Sequence, residues 1–194
     1  MQAKLAQLSK EEDGFASGLA NVDFKIPDPK LRKHFEGRVK GTVAKNMRVS
    51  DERNATALEA VAGSRLHQVI VDNDKTGLDL LTRAKLPRRV TLIPLNKISK
   101  PAAEEKKMRD RVAEAQKLVG VARATLALDL VTFDADVKDA MSYVFGSTIV
   151  CADKDAARMI CERLKLRTVT LEGDLFDSGE SSYPLESALP MISD

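Results

Sequence analysis

Apolar positions along this chain switch repeatedly between a spacing of three to four residues and runs of four or five, which predicts helices alternating with short strands. At the start, Leu5, Leu8, Phe15, Leu19 and Val22 fall on the alternating steps of a coiled-coil seam. Glu12 interrupts that seam, and Gly14 and Gly18 weaken a helix by about 1 kcal/mol each. Two readings of residues 1–24 stand: a frayed extension, or the end of a longer coiled coil. "IPDP" at 26–29 stops any helix, because proline disfavours helix in the residue before it. Residues 37–49 alternate as a strand, with Gly41 a point of close approach. A short helix over 54–63 closes at Gly63. "HQVIV" is a buried strand, and 74–84 a helix with Leu78, Leu80 and Leu81 near one face. "RRVTLIPL" at 88–95 is the next strand; 97–120 is charged, then helical from about Met108 to Gly120. "ATLALDLVTF" reads as one strand and "ADVKDAMSYVFG" as a helix capped by Gly146. "STIVCA", "KDAARMICERLK" and "RTVTL" follow as strand, helix and strand, and the tail after Phe176 is rich in Ser, Gly and Pro.

Part of this pattern occurs twice. "VIVDNDKTGLDLLTRAKLPRRVTL" aligns with "TIVCADKDAARMICERLKLRTVTL" at a constant offset of 79, pairing Val71 with Val150, Asp74 with Asp153 and Arg88 with Arg167. Upstream, "VAGS" at 61–64 aligns with "VFGS" at 144–147 at an offset of 83, so one short gap reconciles the two. Each copy reads helix, glycine, strand, helix, strand. Duplication predicts two similar subdomains related by an approximate twofold axis, in a mixed α/β (α+β) fold.

Composition narrows the function. With 31 Lys/Arg against 29 Asp/Glu the net charge is +2, so nucleic-acid affinity requires a local patch. Residues 83–111 supply one, holding ten Lys/Arg against three Asp/Glu. Lys85, Arg88, Arg89, Lys97, Lys100, Lys106, Lys107, Arg109 and Arg111 are its candidate phosphate contacts, set against the plainer reading of a solvated face. Trp is absent and aromatics are 4%, which argues against a base-stacking platform. Cys151 and Cys161 are too few for a disulfide scaffold and lie in apolar stretches, as reduced, buried thiols do. Neither a secretory leader nor an apolar run of about 18 residues is visible, which predicts an intracellular protein.

The sharpest enzymatic pattern is "VIVDNDKTG". A strand ending in Asp-x-Asp-x-Thr resembles the nucleophile motif of haloacid-dehalogenase-type phosphatases, with Asp72 attacking phosphorus, Asp74 as acid/base and Mg²⁺ neutralising charge. "GDLFD" at 173–177 resembles their late acidic motif. The competing reading is that Asp72 and Asp74 N-cap the next helix. It is favoured because some 70 residues precede a motif that normally opens such enzymes, and no convincing lysine motif intervenes. As a calcium loop the segment fails, since its twelfth position is Arg83 instead of a bidentate Glu. The cysteines and His34 or His67 show no metal spacing, no nucleotide-binding lysine loop is present, and no cofactor is predicted.

"VIVDNDKTGLDLL" followed by "LPRRVTLIPLNKIS", then "AMSYVFGSTIVCADKDAA" and "RTVTLEGDLFD", resembles in order the hinge domain of structural-maintenance-of-chromosomes (SMC) proteins. "LANVDFKIPDP" and "VKGTVA" make it most like the second condensin-type subunit. The likeness covers roughly residues 19–177. It implies a lead-in from a coiled-coil arm over 1–24, hinge subdomain I over 25–120, subdomain II over 121–177, and a segment at 178–194 leading to a return arm or an irregular tail. It further implies a non-enzymatic module, without cofactor, that pairs through sheet edges with the hinge of a partner condensin SMC subunit, with weak self-pairing in isolation. Gly146, Ser147, Gly173, Asp174 and Gly179 are the implied dimer contacts. A secondary, sequence-independent affinity for DNA, no membrane, and a place in the nucleus on chromosomes, or the cytoplasm, complete the expectation. ATPase heads lie outside such a segment. The chain departs from the family after "GDLFD": where a glycine pair is usual it reads "SGESSYPLESALP".

Overall fold

The computed structural model describes residues 24–86, 89–98 and 102–177. Both arm readings, the tail, and the candidates Arg88, Lys100 and Gly179 lie outside the described residues. The described chain is built from two copies of one unit. The first runs β1 (Val39–Thr42), a 3₁₀ turn, β2 (Arg48–Val49), α2 (Ala55–Ala62), β3 (Val69–Val71), α3 (Asp74–Arg83) and β4 (Leu92–Pro94), after a short α1 (Pro29–His34). The short helix α4 (Leu95–Ile98) and then α5 (Ala102–Val119) lead to the second. That unit runs β5 (Ala124–Leu126), a 3₁₀ turn, β6 (Val131–Thr132), α6 (Lys138–Phe145), β7 (Thr148–Cys151), α7 (Lys154–Leu164) and β8 (Arg167–Thr170), then adds β9 (Leu175–Phe176).

The sheets match strand for strand. β3 lies between antiparallel β1 and parallel β4; β7 lies between antiparallel β5 and parallel β8, and β9 pairs antiparallel on the far side of β8. The units meet through β2 and β6, which form an antiparallel ribbon, and through α2, which packs on α6. α5 covers β5 and α7, so the helix before residue 120 serves the second sheet. One large core draws on both units, including Val43, Leu58 and Ile70 from the first and Phe145, Ile149 and Val169 from the second. A smaller core under α1 gathers Ile26, Phe35, Val69, Val71, Leu80 and Ala84.

Several expected boundaries move. The region 37–49 is two strands split by a 3₁₀ turn at Ala44–Asn46. "ATLALDLVTF" is likewise broken at Ala127–Leu130, its halves pairing with different partners, β7 and β2. α5 begins at Ala102, six residues before Met108, with Glu104 and Glu105 in its first turn where the helix dipole favours them. On α3 only Leu80 enters the core; Leu78 and Leu81 are 56% and 48% exposed.

The repeat is real but its alignment shifts by one. The N-caps are Asn73 and Asp153, 80 positions apart, each accepting from the N–H of the third residue on. Buried Thr76, Gly77 and Leu80 then match buried Ala156, Ala157 and Ile160. The matched letters of "RRVTL" and "RTVTL" do not occupy equivalent places. Ile93 pairs with Ile70 as Val169 pairs with Val150, so the first copy carries four extra residues before its last strand. Gly77 sits inside a helix because an added Cβ would stand 3.0 Å from Leu92 of β4.

Candidate functional site

The acidic strand end at 72–74 is a helix start. Asn73, extended at φ −154° and ψ 168°, is the cap; neither Asp72 nor Asp74 fills that place. Asp72 accepts from its neighbour Asn73 N–H at 2.7 Å and from Arg38 Nε at 3.5 Å. Asp74 exchanges bonds with Asn96 of α4, whose side chain also accepts from the Asp74 N–H, and pairs with Lys97 at 3.3 Å. Asn96 and then Lys97 hold its carboxyl below the usual carboxylate range. Both carboxylates are thus engaged in tying α3 to its surroundings. Among the described residues no cluster of three or more His, Cys, Asp or Glu is placed to hold a metal ion. Burial raises both thiols, Cys151 to about 12, so neither is a reactive thiolate near neutral pH.

Sequence comparison missed a second repeated device. The N–H of Asp72 donates to the Arg38 carbonyl, and the N–H of Ala152 to the Arg123 carbonyl, so the two arginines are equivalent. Each reaches the start of the following helix. Arg38 Nη2 donates to Thr76 Oγ1 at 2.6 Å; Arg123 grips Asp153 with two bonds of 2.9 and 2.6 Å. No shared letter pattern flanks them, and only the strand register exposes the match. The Arg123 guanidinium, then the Ala156 N–H, hold the Asp153 carboxyl down to about 2. A carboxylate depressed in the folded state contributes stability above its ordinary value near 4, lost as pH falls through about 2. Thermal midpoints measured from pH 5 to pH 2 should therefore fall more steeply for the parent than for Asp153→Asn, which keeps a capping oxygen without the charge.

The proposed contact glycines sit at two turns. Gly146 ends α6, donating to Ser142 O at 2.9 Å, and an added Cβ would run into that carbonyl oxygen. Ser147, half-buried, leads into β7. Gly173 holds φ +91° between β8 and β9, and an added Cβ would lie 3.2 Å from Thr56 Cγ2 of α2. Asp174 fixes this turn: its N–H donates to Thr170 Oγ1 at 3.1 Å, and its carboxylate meets Lys154 at 3.1 Å. Each glycine therefore has a local reason for its identity within its own chain.

The candidate cations separate into two groups. Lys97 is held by Asp74, Arg109 lies 3.4 Å from Asp129 and 3.7 Å from Glu105, and Arg111 donates to the Leu164 carbonyl. Lys85, Arg89, Lys106 and Lys107 are exposed, with no side-chain ion pair among the described residues. Among the described residues β4 is the outermost strand of its sheet, whereas its counterpart β8 is covered by β9.

Comparison with known proteins accounts for the repeated unit. A family model for the "SMC proteins Flexible Hinge Domain" matches residues 35–161. Over 180 residues the sequence is 44% identical to structural maintenance of chromosomes protein 2-1 of Arabidopsis thaliana, covering 90% of this chain and 15% of that protein. It is 40% identical over 175 residues to structural maintenance of chromosomes protein 2 of Homo sapiens, covering 89% and 14%. The chain thus spans less than a sixth of the length of these relatives. The crystal structure of the Pyrococcus furiosus SMC protein hinge domain superposes with a TM-score of 0.56 at 26% identity, over 76% of this chain and 72% of that one. An asymmetric dimer of the Geobacillus stearothermophilus SMC hinge domain shares the fold, with a TM-score of 0.59 at 23% identity, over 91% of this chain and 73% of that one. From the extent of the family match and the shared fold, the chain belongs to the SMC flexible hinge domain family.

Proposed function

We propose that this chain is the hinge of a condensin SMC subunit and pairs with the hinge of the partner SMC subunit on chromosomes in the nucleus. The role is non-enzymatic; the ATPase activity of the whole protein belongs to segments beyond the hinge. The observation that carries the pairing is the unequal pair of sheets. β9 fills the outer edge of β8, and the equivalent edge on β4 is unfilled among the described residues. An open edge is a template for a strand from another chain. Subdomain I (25–120) of one chain then faces subdomain II (121–177) of the other, with the turns at Gly146, Ser147, Gly173 and Asp174, and the segment around Gly179, close to the contact. Residues 1–24 and 178–194 lead toward the arms. Mixing the chain with the hinge of a partner condensin SMC subunit should give a one-to-one complex by size-exclusion chromatography with light scattering. Absence of a complex at micromolar concentrations would overturn the reading.

The exposed cations support a secondary, sequence-independent affinity for DNA. Some three to five phosphate contacts predict a slope of log K against log salt of about −2.7 to −4.5. Reversing Lys85, Arg89, Lys106 and Lys107 should weaken binding to all duplexes alike and flatten that slope. Equal binding by the reversed protein at low salt would show that the surface lies elsewhere.

A further inference from the structure

We propose that a basic groove between α1 and β1 binds an acidic segment of a partner protein that carries apolar side chains between its carboxylates. The proposal is independent of hinge pairing. Residues 25–45 hold seven Lys/Arg against two carboxylates, Asp28 and Glu36, a stronger bias than in the chain as a whole. The fold gathers that charge around one concavity of about 540 Å³, within the roughly 300–1,000 Å³ of ligand sites. Lys25, Arg32, Lys33, Lys40 and Lys45 line it beside a single acid, Glu36, while Phe24, Ile26 and Val39 supply apolar wall. Arg32 and Lys40 are among the cations held in place: Arg32 Nη2 donates to the Ile26 carbonyl at 3.1 Å, and Lys40 meets Asp136 at 2.7 Å, which already answers its charge and leaves most of the attraction to the other four. Gly37 lines the same groove, and an added Cβ there would meet nothing within 4 Å, so its backbone lies open.

A cationic rim over an apolar wall matches a peptide better than a nucleic acid. A duplex, whose grooves alone are about 6 and 12 Å wide, is too broad to enter a concavity of this size and would touch only the rim. Single-stranded bases bind by stacking on exposed aromatic faces. Here Phe35 is 1% exposed, with its ring edge-on to His34, and Phe24 is half-buried. Carboxylates on an extended peptide can meet the rim while alternate apolar side chains rest on Phe24, Ile26 and Val39.

The test is fluorescence anisotropy on the full 194-residue chain with a labelled ten-residue peptide alternating Glu with Leu or Phe. Controls are the same peptide with Lys for Glu, an all-Glu peptide, and a single-stranded and a duplex oligonucleotide as competitors. The acidic apolar peptide should bind, the lysine peptide should not, and the all-Glu peptide should bind more weakly. Lys33→Glu should weaken binding at least threefold with an unchanged thermal midpoint, and adding Lys45→Glu should bring the loss to at least tenfold. Phe24→Ala should weaken the apolar peptide and leave the all-Glu peptide unaffected. The proposal is overturned if the lysine peptide binds equally, if the charge reversals have no effect, or if oligonucleotides bind the groove and displace the peptide at lower concentration.

Discussion

Replacing Phe145 with alanine is expected to cost about 3–5 kcal/mol of folding stability. Phe145 is 0% exposed at the last turn of α6, and it belongs to the core that both repeats share. α6 lies against α2 of the other unit, so the core that Phe145 fills is closed by both units together. Truncation removes its transfer free energy and leaves a cavity that close-packed neighbours refill only in part. For a domain of this size a loss of that order lowers the midpoint by roughly 6–20 °C, at about 2–4 °C per kcal/mol. Leu78→Ala is the matching control, because Leu78 is 56% exposed and surface truncations stay within about 0.5 kcal/mol. Equal costs at the two positions, read by calorimetry or denaturant titration, would contradict the shared core.

A second large effect is expected at the open edge. The Thr91 carbonyl accepts from Val69 N–H at 2.9 Å, so its backbone faces β3. Strand alternation then turns the N–H and carbonyl of Leu92 outward, and Pro94 can offer only a carbonyl there. Leu92→Pro removes the outward N–H, the one donor β4 presents on that edge, without breaking the inner ladder. Pairing with a partner hinge should weaken by about a hundredfold or more. Leu92→Ala separates backbone from side chain: it loses the contact over Gly77 yet keeps the N–H, so it should be less stable than the parent and still pair. A Leu92→Pro protein that pairs as tightly as Leu92→Ala would show that the partner strand does not join at β4.

Element types were legible where period and length agreed. The buried runs at 69–71 and 148–151 and the helices after them follow directly from the pattern. Corners were not. Leu126, Ala127 and Leu128 are all buried, so the chain reads as one apolar strand while it turns from the second sheet into the ribbon. The cap at Asn73 was undecidable from letters, since three adjacent residues, Asp, Asn and Asp, are all good caps and backbone dihedrals select one. The start of α5 hid behind its charges, because a helix with one covered face needs few apolar residues in its first turns. The repeat was visible in letters, but its register was misplaced by one because "DK" recurs at a point where the caps do not coincide. Among the proposed cations, sequence could show clustering in 83–111 but not that Lys97, Arg109 and Arg111 are already engaged.

The ribbon that joins the two units also sets an order of assembly. Arg48 pairs with Thr132 and Val49 with Val131, partners separated by more than eighty residues. Closing so long a loop carries an entropic cost that must be met before the contacts reward it, and long-range pairing of this kind slows folding. During synthesis the first unit is complete through β4 while β2 still lacks its partner strand and α2 still lacks α6. The apolar face of α2, with Leu58 and Val61, stays uncovered until α6 has left the ribosome. The nascent first half is therefore the stage at which this chain is most open to aggregation and most dependent on a chaperone.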